Sequence, residues 1–253
     1  MAKPIAPVCQ LCRQAKPLIN AHIYPKAIAL EIGGTGDVPR TYSVDGSEPS
    51  RRMPQGWYDV SILCADCDGR VLGPLDEYGI EFLRRGRTDS RPSGHPSSWL
   101  PRARPDTDAV RLKLFAVSLL WRSAVSIRPE FEQVRLGPFE ETARAALLTG
   151  KFETPEDFSL IVTWYPDDPG ESMIPPFRLR MKGSRVLGYL MHLGSHSLTV
   201  KVDSRAAPEP LRAHLVSADR EVTVLVDSVI DGPVGRVIRR FMETPAARKR
   251  LRS

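Results

Sequence analysis

Cys9-Gln10-Leu11-Cys12 and Cys64-Ala65-Asp66-Cys67 contain all four cysteines of the 253-residue chain, in two identical Cys-x2-Cys spacings. A Cys-x2-Cys pair fits a tight knuckle turn that aims both thiolates at one centre. Two such pairs complete the tetrahedral sulfur shell that zinc prefers. A redox Cys-x2-Cys normally opens a helix after a strand, and no thioredoxin-like pattern surrounds either pair. Structural disulfides belong to exported chains, and the Met1–Val8 stretch lacks the apolar core of a secretion signal. The spacing therefore predicts a structural zinc site made by Cys9, Cys12, Cys64 and Cys67. A centre closed by four thiolates leaves no open position for chemistry, so function must come from what the knuckles hold in place.

Between the knuckles, Asn20-Ala21-His22-Ile23-Tyr24-Pro25 follows the apolar lead-in Pro17-Leu18-Ile19. Trp57-Tyr58-Asp59-Val60-Ser61-Ile62-Leu63 then runs into the second knuckle. Beyond it Val71, Leu72, Leu75, Tyr78, Ile80 and Phe82 supply the stripe of a helix. A single His beside an apolar run is ordinarily a hydrogen-bonded structural residue.

Taken together, Cys-x-Leu-Cys, Ala-His-Ile-Tyr-Pro-Lys and Leu-Cys-x2-Cys-Asp resemble the HNH endonuclease family, whose ββα-metal core is often pinned by two Cys-x2-Cys knuckles. The match is nearest to a group of uncharacterised bacterial HNH-like proteins. It covers residues 9–82, and a weaker likeness through Leu119-Leu120-Trp121-Arg122-Ser123-Ala124 extends to about residue 150. The resemblance implies His22 as general base, with Asp59 and Asp68 in the two further motif positions. Asp68 is there a ligand for catalytic Mg²⁺ or Mn²⁺, with Asp76 or Glu77 as a further oxygen. The chain departs from the family at Ala21, where an oxygen ligand is common. At Asp59 an anion replaces an amide, and it can accept a loop-clamping hydrogen bond but not donate one. Asp76 lies eight residues beyond Asp68, about 12 Å along a continuous helix axis, so shared ligation needs a bend. The activity implied is metal-dependent phosphodiester hydrolysis of nucleic acid, DNA ahead of RNA. The alternative is an inactive zinc module that binds nucleic acid or a protein.

Composition adds limits. Apolar residues at 42% and charged residues at 26% are ordinary for a globular chain. The longest apolar run, Phe115 to Trp121, is far short of the roughly 20 residues of a membrane span. A cytoplasmic protein is expected. The net charge of +6 equals that of the tail alone, where Arg236, Arg239, Arg240, Arg248, Lys249, Arg250 and Arg252 face only Glu243. Everything before residue 236 sums to zero, so any anion-binding surface must be local. Arg84, Arg85, Arg87 and Arg91 form one candidate nucleic-acid contact beside the presumed catalytic helix.

The pattern predicts an α+β chain in three parts. A zinc-knuckle ββα module (treble-clef-like) spans 1–85, a Pro/Ser/Arg-rich linker 86–105, and an α+β unit with an antiparallel sheet 106–253. Helices are expected over 108–125, 138–149 and 234–242, and strands over 158–165, 176–181, 185–193, 197–202 and 222–229. Pro138 and Gly150 mark the ends of the second helix. Gly33-Gly34-Thr35-Gly36 has neither dinucleotide nor P-loop spacing, and Gly194-Ser195-His196-Ser197 is no nucleophile elbow. His192 and His196 would share a strand face, but Gly194-Ser195 reads as a turn between them.

Overall fold

The computed structural model describes residues 7–32, 40–41, 51–52, 56–88, 100–168, 172–181, 183–230 and 232–242. In chain order its elements are β1 (Ala21–His22), α1 (Lys26–Ile32), β2 (Arg40–Thr41), β3 (Arg51–Arg52) and β4 (Tyr58–Asp59). A π-helical turn (Cys67–Leu72) then runs directly into α2 (Gly73–Thr88). After it come β5 (Leu100–Arg104), α3 (Ala109–Val125), a 3-10 turn (Pro129–Phe131), α4 (Phe139–Thr149) and β6 (Leu160–Trp164). The rest comprises β7 (Ser172–Arg180), β8 (Leu187–Leu193), β9 (His196–Lys201), α5 (Glu209–Arg212), β10 (Val222–Val226) and α6 (Pro233–Met242). The chain is α+β, and none of its described helices is long and apolar enough to cross a membrane.

Eight strands form one sheet in the order β3-β2-β7-β8-β9-β6-β10-β5, and β1 and β4 form a separate antiparallel ribbon. The large sheet is mainly antiparallel, as expected, but β10 joins β6 in parallel and β2 joins β7 in parallel. Pro175 and Pro176 lack a ladder N–H, and the β7–β8 register shifts at that point, between Ile174 and Phe177.

The expected linker is corrected at both ends. Residues 86–88 continue α2, and 100–104 form β5, the sheet edge paired with β10. Alternation fails to reveal β5 because Pro101, Arg102 and Arg104 disguise a strand that has one partner only. Residues 89–99 lie outside the described residues, as do Gly33–Gly36. The last expected strand is shorter, because beyond Val226 the backbone N–H of Val229 turns to Asp167 Oδ1 and that of Ser228 to Asp227 Oδ1. The expected turn at Gly194-Ser195 joins β8 to β9, with Leu193 opposite His196.

α3 is apolar nearly all round and lies at the centre of the fold, capped at its start by Asp108 Oδ1, which accepts from the Arg111 N–H at 3.0 Å. One continuous core joins the knuckle residues, α2, α3 and α4 to one sheet face through Leu160, Val162, Tyr189, Met191, Val222 and Val224. Alternate residues point the other way. Leu190 and Tyr165 meet Val234 and Val237 of α6, and Ile161 and Leu225 meet Leu211 of α5. The sheet is thus a middle layer, with the cysteine-bearing layer on one side and short helices on the other.

Candidate metal centre and adjacent polar site

The first knuckle is a tight loop closed by the bridge between Val8 and Ala15, with Arg13 in the left-handed region at φ +59°. Its Cys9 carbonyl accepts from the Arg13 N–H at 2.9 Å. The bridge from Leu18 to Cys64 brings the second knuckle alongside, and Gln10 N–H and Ile19 N–H donate to the Ile62 and Leu63 carbonyls. The four sulfurs converge to within 4.8 Å of one another. Zinc–sulfur bonds of about 2.3 Å in a tetrahedron place sulfurs roughly 3.8 Å apart, so the quartet fits such an ion.

The Cys64 N–H also donates to Cys9 Sγ at 3.4 Å. Burial pushes the Cys9 thiol up, but backbone N–H groups of Cys12, Cys64 and Leu11 outweigh it and lower the thiol to about 7. Burial, joined by the neighbouring sulfurs, pushes Cys67 up. Such crowded sulfurs cannot all ionise unless a cation offsets their charge. The four cysteines lie close together and can hold a metal ion such as zinc. Arg144 of α4 braces the loop, its Nη1 donating to the Leu11 carbonyl at 2.6 Å.

The second knuckle leads straight into the π-helical turn, whose wide loop is closed by Gly73 N–H donating to the Asp68 carbonyl. π-Helical turns recur at functional sites. Asp68 is half-buried there. Its carboxyl is raised by burial first; Arg122 and His22 act to lower it and Asp76 to raise it. His22 lies opposite Tyr58 in the ribbon, the two rings edge-on at 6.3 Å.

Two of the remaining acidic candidates, Asp76 and Asp59, are engaged, and Glu77 is exposed on α2. Both Asp76 oxygens accept from Arg122, Oδ1 from Nη2 at 2.6 Å and Oδ2 from Nη1 at 3.0 Å. Arg122 is completely buried on α3, and it also donates to the His22 carbonyl at 2.9 Å, the Ser118 carbonyl at 3.3 Å and Ser118 Oγ at 3.1 Å. All five guanidinium N–H groups are used. Asp59 is clamped just as fully. Its Oδ1 accepts from Ser61 N and Oγ, and its Oδ2 from Ser126 Oγ at 2.7 Å and Ile127 N at 3.1 Å. Burial raises its carboxyl, but these donors prevail and hold it below the usual range. Among the described residues, the cysteine quartet is the one group of three or more His, Cys, Asp or Glu side chains whose ligand atoms converge.

Hydrogen bonds thus bring together the His22 carbonyl, Asp76 and Arg122, with Asp68 in the π-helical turn that leads into α2, and set Asp59 apart as a clamp between the ribbon and the end of α3. Arg122 did not enter the reading of the site from sequence. Its signal is a lone charge inside the Leu114–Val125 run, where burial demands carboxylate and carbonyl partners. Of the arginines read as nucleic-acid contacts, Arg84 pairs with Glu31 and Arg85 with Glu81. Arg87 sits in the last turn of α2, and Arg91 lies outside the described residues.

A second polar cluster sits within the sheet. His192 Nε2 meets Asp168 Oδ2 at 2.9 Å, and its Nδ1 meets Ser197 Oγ at 3.0 Å. An ionised Asp168 only accepts, which assigns the proton to Nε2 and lets a neutral ring accept from Ser197. His192 and Ser197 are fully buried, so this Ser-His-Asp set is an internal network rather than an open nucleophile. His196, across the turn, contacts Ser195 and lies beside Gly86 of α2, so the two histidines do not converge.

No protein-family model, curated protein or solved structure matches this chain.

Proposed function

We propose that the chain is a zinc-pinned HNH-like endonuclease that hydrolyses phosphodiester bonds in nucleic acid, DNA ahead of RNA, with residues 9–82 as its ββα-metal module. The observation that carries this reading is the joining of the His22-bearing β1–β4 ribbon to the helix that leaves the second knuckle through Asp68, made by Arg122, which donates to the His22 carbonyl and to both Asp76 oxygens. His22 takes a proton from the attacking water, a role that needs a neutral imidazole near pH 7. Asp68 would hold a Mg²⁺ or Mn²⁺ ion, which supplies charge stabilisation at the phosphoryl and leaving oxygens. One carboxylate is enough for such an ion when substrate phosphate and water complete its shell. Arg122 positions both elements through the His22 carbonyl and Asp76, and Asp59 fixes the ribbon. The zinc quartet is structural.

With Mg²⁺ or Mn²⁺ the purified protein should nick plasmid DNA. His22→Ala should abolish nicking while zinc content stays unchanged; equal nicking by both would overturn the mechanism. The second reading, a non-catalytic zinc module that binds nucleic acid or protein, is favoured by the occupied oxygens of Asp59 and Asp76 and by Ala21. Folded, zinc-loaded protein that cleaves neither DNA nor RNA would select it.

A further inference from the structure

An open cleft of about 680 Å³ at the hairpin end of β7 and β8 is lined by Arg178, Leu179, Arg180, Arg185, Leu187 and Arg205. Four of six lining side chains are guanidinium groups, in a chain whose residues before 236 carry no net charge. Arg205 is occupied, since Asp203 accepts from its Nε at 2.8 Å and its Nη2 at 2.7 Å. Arg178, Arg180 and Arg185 are exposed, and among the described residues they form no ion pair. Concentrating three cations that have no ion pair among the described residues on one concave surface costs mutual repulsion, which an anionic partner relieves.

Strand geometry sets the spacing. Arg178 lies opposite Tyr189 and Arg180 opposite Leu187, so both share one face of β7 about 7 Å apart. That repeat suits successive phosphates of a nucleic-acid strand, to which arginine binds through its planar fork. The cleft is also tied to the ribbon that bears His22. Residues 126–135 start at Asp59, which accepts from Ile127, and Arg128 Nη1 donates to the Tyr58 carbonyl. They end at Tyr189, whose hydroxyl accepts from the Arg135 N–H and donates to the Arg135 carbonyl, both at 2.9 Å.

We propose that the Arg178–Arg180–Arg185 cleft is a phosphate-backbone grip that holds nucleic acid independently of base sequence. The partner class rests on the nuclease reading; the cleft itself rests on its own charge and shape. It supplies the contact that Arg84 and Arg85, paired with glutamates, supply only in part.

The test measures binding of a short fluorescein-labelled DNA duplex, without added Mg²⁺ or Mn²⁺, from about 50 to about 200 mM salt. Each neutralised phosphate contributes about 0.9 to the salt slope, so Arg178→Ala/Arg180→Ala/Arg185→Ala should flatten it by about 2.7. Over that salt range wild-type affinity should fall about 40-fold more than that of the triple variant. The corresponding triple Lys variant should keep most of the slope, because lysine also neutralises phosphate. Thermal melts of both variants should match the wild type. An unchanged slope in the Ala variant overturns the proposal, as does wild-type protein that binds phosphatidylserine vesicles but no nucleic acid. The outcomes separate from those at His22. Cleavage that survives with an unchanged salt slope sinks the cleft alone, whereas arginine-dependent binding without cleavage sinks the nuclease alone.

Discussion

Arg122 and Asp76 form a bidentate ion pair at 2.6 and 3.0 Å between α3 and α2, and the same guanidinium holds the backbone carbonyl of His22. One buried cation thus joins three segments that are distant in sequence. Removing either partner leaves a charge inside the protein without compensation. Asp76→Ala should therefore cost about 3–5 kcal/mol of stability, read as a shift in the urea midpoint. Arg122→Ala should cost at least as much, because Ser118 and His22 also lose a donor. A loss below ~0.5 kcal/mol in Asp76→Ala would show that the pair contributes nothing.

Zinc stoichiometry tests the quartet directly. Purified protein should carry one zinc per chain by elemental analysis, and Cys12→Ser or Cys64→Ser should lose most of it. Because thiols must deprotonate to bind, metal retention should weaken as pH falls. With Cys9 lowered to about 7, the first thiolate is available near neutral pH. Full zinc content in Cys64→Ser would exclude the four-sulfur site.

Asp59 predicts a signed pH dependence. Its folded carboxyl lies below the unfolded value, so its contribution is present above about pH 4 and is lost as pH falls through the lowered value. Asp59→Asn presents an N–H₂ where one carboxylate oxygen accepts two donors. At pH 7 this should cost about 1–3 kcal/mol, with the gap from wild type closing in more acidic buffer. A gap that stays constant with pH would remove ionised Asp59 as the clamp.

Gly79 reports on the contact of α2 with α3. A Cβ built there meets the Phe115 ring at 2.3 Å, and Phe115 is fully buried. Gly79→Ala should therefore destabilise by about 1–3 kcal/mol, although alanine favours a helix interior by about 1 kcal/mol. Stabilisation instead would mean that the helices can separate without cost.

The cysteine quartet was legible in the sequence because each half is local: a two-residue gap dictates a knuckle whatever the rest of the chain does. The strands after residue 158 and the helices over 109–125 and 139–149 were legible because period and end signals, such as Gly150 at φ +68°, are also local. Tertiary structure alone decided what the acidic residues near His22 do. Asp76 finds its partner 46 residues away and Asp59 its clamp 67 residues away, and no spacing rule foretells such pairs. The same holds for Arg178, Arg180 and Arg185. Along the chain they are ordinary charges on a hairpin, and they become a cleft only where two paired strands and the 203–205 loop enclose one space. Local chemistry determined which residues can hold a metal. Long-range packing decided which charges are paired inside the fold and which are left exposed on its surface.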